Sequence, residues 1–76
     1  MRVHASSDDP DYWHNHFREC PTVRRNGVIL DHVIEADDVA DYAVVYVWNN
    51  DGPAHDGERL LTQRLTGGIR IAGERL

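Results

Sequence analysis

Histidine and cysteine side chains in the first half of the chain are the residues whose chemistry could bind a metal. His14 and His16 form an H-N-H motif, and Cys20 and His32 follow. A zinc site needs three or four nitrogen or sulfur ligands that converge in a tetrahedron. Residues two apart on an α-helix point about 200° apart, so His14 and His16 diverge if this segment is helical. We therefore predict no metal ligands and no cofactor. A small metal-dependent enzyme that uses His14, His16 and His32 stays open as a second alternative.

Nucleophilic catalysis and phosphate binding lack the patterns that they need. Cys20 precedes Pro21 and falls on a predicted apolar stripe, where a cysteine usually packs as a small hydrophobe. Asp37, Asp38 and Asp41 lack the spacing, central glycine and terminal glutamate of a calcium loop, so we interpret them as turn residues. No glycine-containing loop matches the G-x-x-x-x-G-K pattern of a phosphate loop. The sequence therefore predicts no catalytic residues and a protein that is not an enzyme.

The size and charge of the chain limit its partners. Its 76 residues are enough for a single domain, residues 1–76. Thirteen acidic residues against eight arginines give a net charge of −5, which disfavours direct binding to a nucleic-acid backbone. A single cysteine forms no disulfide within the chain and permits a reducing compartment. No apolar run is long enough to span a membrane and no signal-peptide pattern is present, so a cytoplasmic location is expected.

The acidic balance also leaves one alternative function open. A protein with carboxylates along one surface could mimic nucleic acid and inhibit a host protein. This alternative requires seven acidic residues to line one face: Asp8, Asp9, Asp11, Asp31, Glu35, Asp37 and Asp38.

One helix is predicted near the N-terminus, over residues 8–20. Ser7 and its neighbours can cap the first amide groups, Pro10 suits the first turn, and Pro21 ends the helix. Four residues then share one stripe at helical spacing: Trp13, His16, Phe17 and Cys20.

Strands are predicted over residues 22–25, 28–36, 41–49, 58–65 and 69–75. The strongest turn signal is Asn26-Gly27, because both residues tolerate the positive φ of a two-residue hairpin turn. This hairpin sets Arg25 opposite Val28. In the strand over residues 28–36, the even positions are expected to face the core. At the C-terminal end we prefer a three-residue loop, residues 66–68, that sets Leu65 opposite Ile69.

The stretch from Val28 to Asn50 has the highest content of β-branched and aromatic residues, and its second arm is apolar on both faces. Antiparallel sheets usually bury one face only. One face must meet the protein's own core, and the other must meet the helix, the closure of a barrel or another chain. Because a small domain has few layers with which to cover a second face, the predicted function follows from contact with another chain. The candidate interaction residues are Trp13, Phe17, Tyr42, Val45, Tyr46, Val47 and Trp48.

The order of these motifs resembles one group of proteins. S-D-D-P is followed by G-V-I-L, E-A-D-D, V-V-Y-V, a D-G loop and T-Q-R-L-T-G-G-I-R-I. This order is similar to that of small uncharacterised proteins of tailed bacteriophages and prophages from GC-rich bacteria. The resemblance implies a viral accessory protein, either a virion component or a protein that binds a host factor, located in the host cytoplasm or the virion. It carries no catalytic residues.

The predicted fold class is α+β: a short N-terminal helix packed on an antiparallel meander of four to five strands, with a small, partly closed barrel as the alternative arrangement of those strands. The predicted function is a non-enzymatic protein–protein interaction module that forms a homo-oligomer or docks on a larger assembly.

Overall fold

The chain folds into two small antiparallel sheets and two short hairpins. The computed structural model describes residues 1–76. The larger sheet has the strand order β1-β4-β5-β10 and the smaller one the order β11-β2-β3, while β6 pairs with β7 and β8 pairs with β9. The strands are β1 (Arg2–His4), β2 (Thr22–Arg25), β3 (Val28–Ile29), β4 (Val33–Asp37), β5 (Tyr42–Tyr46), β6 (Trp48–Asn49), β7 (Gly52–Pro53), β8 (His55–Asp56), β9 (Arg59–Leu60), β10 (Thr62–Thr66) and β11 (Ile69–Ala72).

The predicted helix over residues 8–20 is absent, and the α+β prediction is wrong. The only helical element is a 3₁₀ turn, Trp13–Asn15. The Asp9 carboxylate accepts a hydrogen bond from the Asp11 N–H, and the Asp11 carbonyl accepts one from the His4 N–H. Short polar side chains that bond to nearby backbone groups compete with helical hydrogen bonds. The segment is therefore bonded in part to β1 and otherwise forms separate turns, such as the one that the Tyr12 N–H closes on the Asp9 carbonyl, and the protein is mostly β.

The predicted strand over residues 28–36 is divided between the two sheets. The chain leaves β3 after Ile29 and begins β4 at Val33, and between them His32 has a positive φ of 59°. The register of β4 shifts between Val33 and Glu35, as in a β-bulge. As a result the even positions do not share a buried face: Val28 is 67% exposed, whereas Ala36 is fully buried.

The Asn26-Gly27 hairpin is confirmed. Both turn residues have positive φ, 50° and 84°, and Arg25 pairs with Val28 across the turn. This turn joins β2 to β3 in the smaller sheet.

The predicted C-terminal hairpin is wrong, so the strands form neither a meander nor a closed barrel. Leu65 of β10 pairs with Ala43 of β5, whereas Ile69 of β11 pairs with Arg25 of β2. Gly67-Gly68 therefore carries the chain from one sheet to the other. Two strands joined by a short glycine turn can pair with each other or with distant strands, and here the distant pairings prevail.

The region between β5 and β10 is a junction of three two-stranded ladders. The Val47 N–H donates to the Leu61 carbonyl, the Leu61 N–H to the Ala54 carbonyl, and the Ala54 N–H to the Val47 carbonyl, at 2.8–3.0 Å. This closed ring of hydrogen bonds connects the β5–β10 ladder to the β6–β7 and β8–β9 hairpins. The predicted strands over residues 41–49 and 58–65 are each interrupted at this ring.

The core lies between the two sheets and is small. Ala36 and Ala43 are paired on β4 and β5, and their short side chains leave room for the fully buried Ile69 of β11. The buried residues are Val3, Phe17, Val23, Ala36, Ala43, Val45 and Ile69.

The structure contains no helix with the length and apolar content that crossing a membrane requires.

Candidate functional site

The Arg2 guanidinium is the centre of a cluster of charged side chains on the outer face of the larger sheet. It donates to both carboxylate oxygens of Asp9 at 2.8 and 3.0 Å, to Asp11 at 2.8 Å and to Glu35 at 2.6 Å. Because side chains alternate across a strand, Arg2 lies on the face opposite the buried Val3. One arginine on β1 thus connects two aspartates of the N-terminal coil to a glutamate of β4.

The cluster extends across the sheet to its opposite edge. The Tyr42 hydroxyl on β5 donates a short hydrogen bond to Glu35, and the Arg64 guanidinium on β10 lies over the Tyr42 ring, 4.0 Å from its centroid. Contacts therefore run through all four strands. We call this set the polar belt: Arg2, His4, Asp9, Asp11, Glu35, Tyr42 and Arg64.

Hydrogen bonds within the polar belt shift the pKa values of Asp9, Glu35 and Tyr42. Arg2 lowers the pKa of Asp9 to about 2, and the Tyr42 hydroxyl together with Arg2 lowers the pKa of Glu35. The hydrogen bond to Glu35 raises the pKa of Tyr42. Glu35 is thus held ionised and Tyr42 protonated near neutral pH, the opposite of what a carboxylic acid donor or a phenolate would need.

His4 lies at the border between the polar belt and an apolar pocket. Its Nδ1 accepts a hydrogen bond from the Ser6 N–H at 3.0 Å, so Nε2 carries the proton in the neutral ring. Nε2 lies 3.8 Å from Glu35 and 4.0 Å from Asp9. Both carboxylates already accept from Arg2, so the arrangement orients His4 without leaving a free base beside it.

The pocket beside His4 is an apolar cavity of about 60 Å³. Trp13 and the exposed Cys20 belong to its lining, and a larger open groove of about 350 Å³ continues from Cys20 towards His32. The pocket has room for about two water molecules. Cys20 therefore faces a shallow surface depression and not the core that the stripe predicted.

A cluster of large apolar side chains is exposed at the three-ladder junction. We call Tyr46, Trp48, Leu60 and Leu61 the junction patch; each is between 36% and 51% exposed. The indole of Trp48 is stacked on the imidazole of His32, with 3.8 Å between centroids and 8° between planes.

Strand β10, beside the junction patch, lies at the edge of the larger sheet: one side pairs with β5 and the other side has no neighbouring strand. The Val47–Leu61 bond and the Gly67 N–H to Asp41 carbonyl bond show that odd-numbered residues from 61 to 67 send their backbone groups towards β5. The backbone groups of Thr62, Arg64 and Thr66 therefore point outwards. Only the Thr66 carbonyl has a partner, because Arg25 donates to it through two nitrogens at 3.0 and 3.2 Å.

The predicted interaction residues divide between core and surface. Phe17 and Val45 are buried, which excludes them from a surface contact in this fold. Tyr46 and Trp48 are exposed as an interface requires, while Trp13, Tyr42 and Val47 are half-buried.

The residues considered for metal binding are dispersed. His14 packs beside Tyr12 and Trp13, and His32 lies on Trp48. No three His, Cys, Asp or Glu side chains converge into a group that could hold a metal ion.

The polar belt was missed from the sequence. The only signal was the alternation of Arg2 and His4 around the apolar Val3 in a short edge strand. Nothing local linked that strand to Glu35, because the pairing of β1 with β4 joins residues more than 30 positions apart.

Comparison of the chain with protein-family models, with curated proteins and with solved structures finds no match.

Proposed function

We propose that the protein is a non-enzymatic protein-binding module that self-associates through the edge of β10. The observation that carries the proposal is the set of unbonded outward backbone groups of Thr62 and Arg64, next to the exposed junction patch. An edge strand with free N–H and C=O groups is a template for pairing with another strand. Large exposed aromatic and aliphatic side chains beside it supply the apolar contact that such pairing needs.

The size of the exposed surface supports a second copy as the partner. A folded monomer of this mass exposes about 4,700 Å², whereas this chain of 8.7 kDa exposes 5245 Å². Its radius of gyration is 12.6 Å, against about 11 Å for a compact domain of this length. Pairing of two copies would cover part of this excess and compensate for a core of seven buried residues.

One antiparallel register suits the edge of β10. A two-fold axis at Gln63 sets Thr62 of each copy opposite Arg64 of the other, and Leu61 opposite Leu65. This register uses only backbone groups that have no partner, and it avoids both the Thr66 carbonyl, which Arg25 occupies, and a direct Arg64–Arg64 contact.

Proline substitution at the edge tests the proposal. Proline is tolerated in an edge strand where the N–H faces solvent. Arg64→Pro removes an outward N–H and leaves the β5–β10 ladder intact, so the variant should keep its β-type circular dichroism and remain a monomer. Arg64→Ala is the matched control, because it loses the contact with Tyr42 but keeps the N–H, and it should self-associate like the unsubstituted chain.

The measurement is sedimentation velocity over a concentration series from micromolar to millimolar. A monomer at every concentration for the unsubstituted chain, or equal association of Arg64→Pro and Arg64→Ala, would contradict the proposal.

The resemblance to phage accessory proteins suggests virion assembly or binding of a host factor as the setting. The nucleic-acid mimic is not adopted, because Asp9, Asp11 and Glu35 are bonded to Arg2.

A further inference from the structure

The smaller sheet carries two arginines directly opposite each other. Arg24 of β2 pairs with Arg70 of β11, and Ile29 of β3 pairs with Arg24 on its other side. Because Val23 and Ile69 are buried, alternation places Arg24 and Arg70 on the outer face. We call the row Arg70–Arg24–Ile29 the arginine row.

The two guanidinium groups have no acidic partner. No carboxylate oxygen lies within 4.0 Å of either group, although the chain has 13 acidic residues. Arg70 donates only to its own neighbour, the Ile69 carbonyl, and the Arg24 side chain donates no hydrogen bond. Like charges at directly opposed positions destabilise a sheet, and no ion pair within the molecule offsets this repulsion.

We infer that the arginine row binds an acidic, extended segment of a partner protein. Each guanidinium presents a planar fork that accommodates a carboxylate through two hydrogen bonds. The next residue of the row, Ile29, is 56% exposed and suits an apolar side chain. The combination of two cations with an exposed aliphatic group fits a peptide that carries carboxylates and an apolar side chain better than a phosphate backbone, which offers charge alone along its length.

This surface is separate from the edge of β10. The two surfaces lie on different sheets, so the inference does not rest on self-association. Binding should therefore also be measured on the Arg64→Pro background, where association through β10 is blocked.

The probe is a capped pentapeptide, Glu-Thr-Glu-Thr-Leu. In an extended chain its two carboxylates and its leucine point the same way, in the order of Arg70, Arg24 and Ile29. The control peptide replaces both glutamates by glutamine. Nitrogen–proton correlation spectra should show shifts of the Nε–H signals of Arg24 and Arg70 with the first peptide and not with the second.

Matched substitutions test the row itself. Arg24→Gln together with Arg70→Gln should weaken binding by roughly tenfold or more, while Arg59→Gln, an exposed arginine of the β8–β9 hairpin, should leave it unchanged. Arg24→Lys keeps the charge but loses the fork, and should weaken binding as well. Equal binding of the glutamine peptide, equal loss in Arg59→Gln, or tighter binding of oligothymidylate than of the peptide would each overturn the inference.

Discussion

The guanidinium of Arg2 donates a 2.6 Å hydrogen bond to the carboxylate of Glu35, which lies 33 positions away in the chain. The same guanidinium binds Asp9 and Asp11, so one side chain fixes the N-terminal coil to the second strand of the larger sheet. The coil consists of separate turns and one 3₁₀ element, Trp13–Asn15. The burial of Phe17 and backbone hydrogen bonds to β1 and to the C-terminal residues hold it in place together with Arg2.

Replacement of Arg2 by methionine should destabilise the protein by about 1–3 kcal/mol, because several hydrogen bonds between charged groups are lost and three carboxylates are left close together. Urea unfolding followed by tryptophan fluorescence measures this change. Arg18→Met is the control: its ion pair with Glu74 is well exposed, and its loss should change stability by less than about 0.5 kcal/mol. Equal effects of the two substitutions would show that Arg2 does not organise the coil.

Stability should fall as the pH is lowered from about 4 towards 2. The folded state lowers the pKa of Asp9, to about 2, and also the pKa values of Glu35 and Asp37. The unfolded chain, with ordinary values near 4, therefore binds more protons in this range. The stabilisation from these carboxylates is complete above their pKa values in the unfolded chain. It is lost as the pH falls through their lower pKa values in the folded protein. Arg2→Met should show a smaller loss in urea titrations across this range, and an identical loss would argue against the assignment to Arg2.

Phe17→Ala should cost about 3–5 kcal/mol, since Phe17 is 2% exposed and belongs to the only core. In a domain of this size such a loss removes most of the folded population. His14→Ala, in the same coil but exposed, should be nearly neutral. Circular dichroism and urea unfolding of the two variants make the comparison, and a folded Phe17→Ala protein of unchanged stability would contradict the observed packing.

Gly68→Ala should destabilise the protein more than Gly67→Ala. Both glycines have positive φ, 90° at Gly67 and 72° at Gly68, so each alanine carries a backbone cost of roughly 1 kcal/mol. A Cβ at Gly67 meets no atom, whereas one at Gly68 would overlap the side-chain oxygen of Asn26. The difference between their unfolding midpoints in urea isolates that contact, and equal midpoints would mean that Asn26 moves aside without cost.

Arg70→Gln should stabilise the protein by about 0.2–1 kcal/mol, because it removes the like charge opposite Arg24. The gain should shrink as salt is added, since salt screens exposed charges. Thermal unfolding at low and high ionic strength measures both effects. A variant less stable than the unsubstituted chain at low salt would show that the two arginines do not repel each other.

The sequence by itself determined the features that depend on neighbouring residues. Asn26 and Gly27 reach positive φ at little cost. These two neighbouring residues were therefore enough to predict the β2–β3 turn and the pairing of Arg25 with Val28. The run of β-branched and aromatic residues around 42–46 likewise predicted β5, but because both of its faces are apolar the sequence left open which face is buried.

Only the tertiary structure decided which strands pair and which polar groups meet. A short glycine turn allows β10 and β11 to pair with each other, but the contacts with β5 and β2 bury Ile69 and Ala43. In place of the predicted helix over residues 8–20, the carboxylates of Asp9 and Asp11 bond to Arg2 and the Asp11 carbonyl accepts from the backbone of β1. Long-range pairing sets these outcomes, and local propensity is too weak to oppose it.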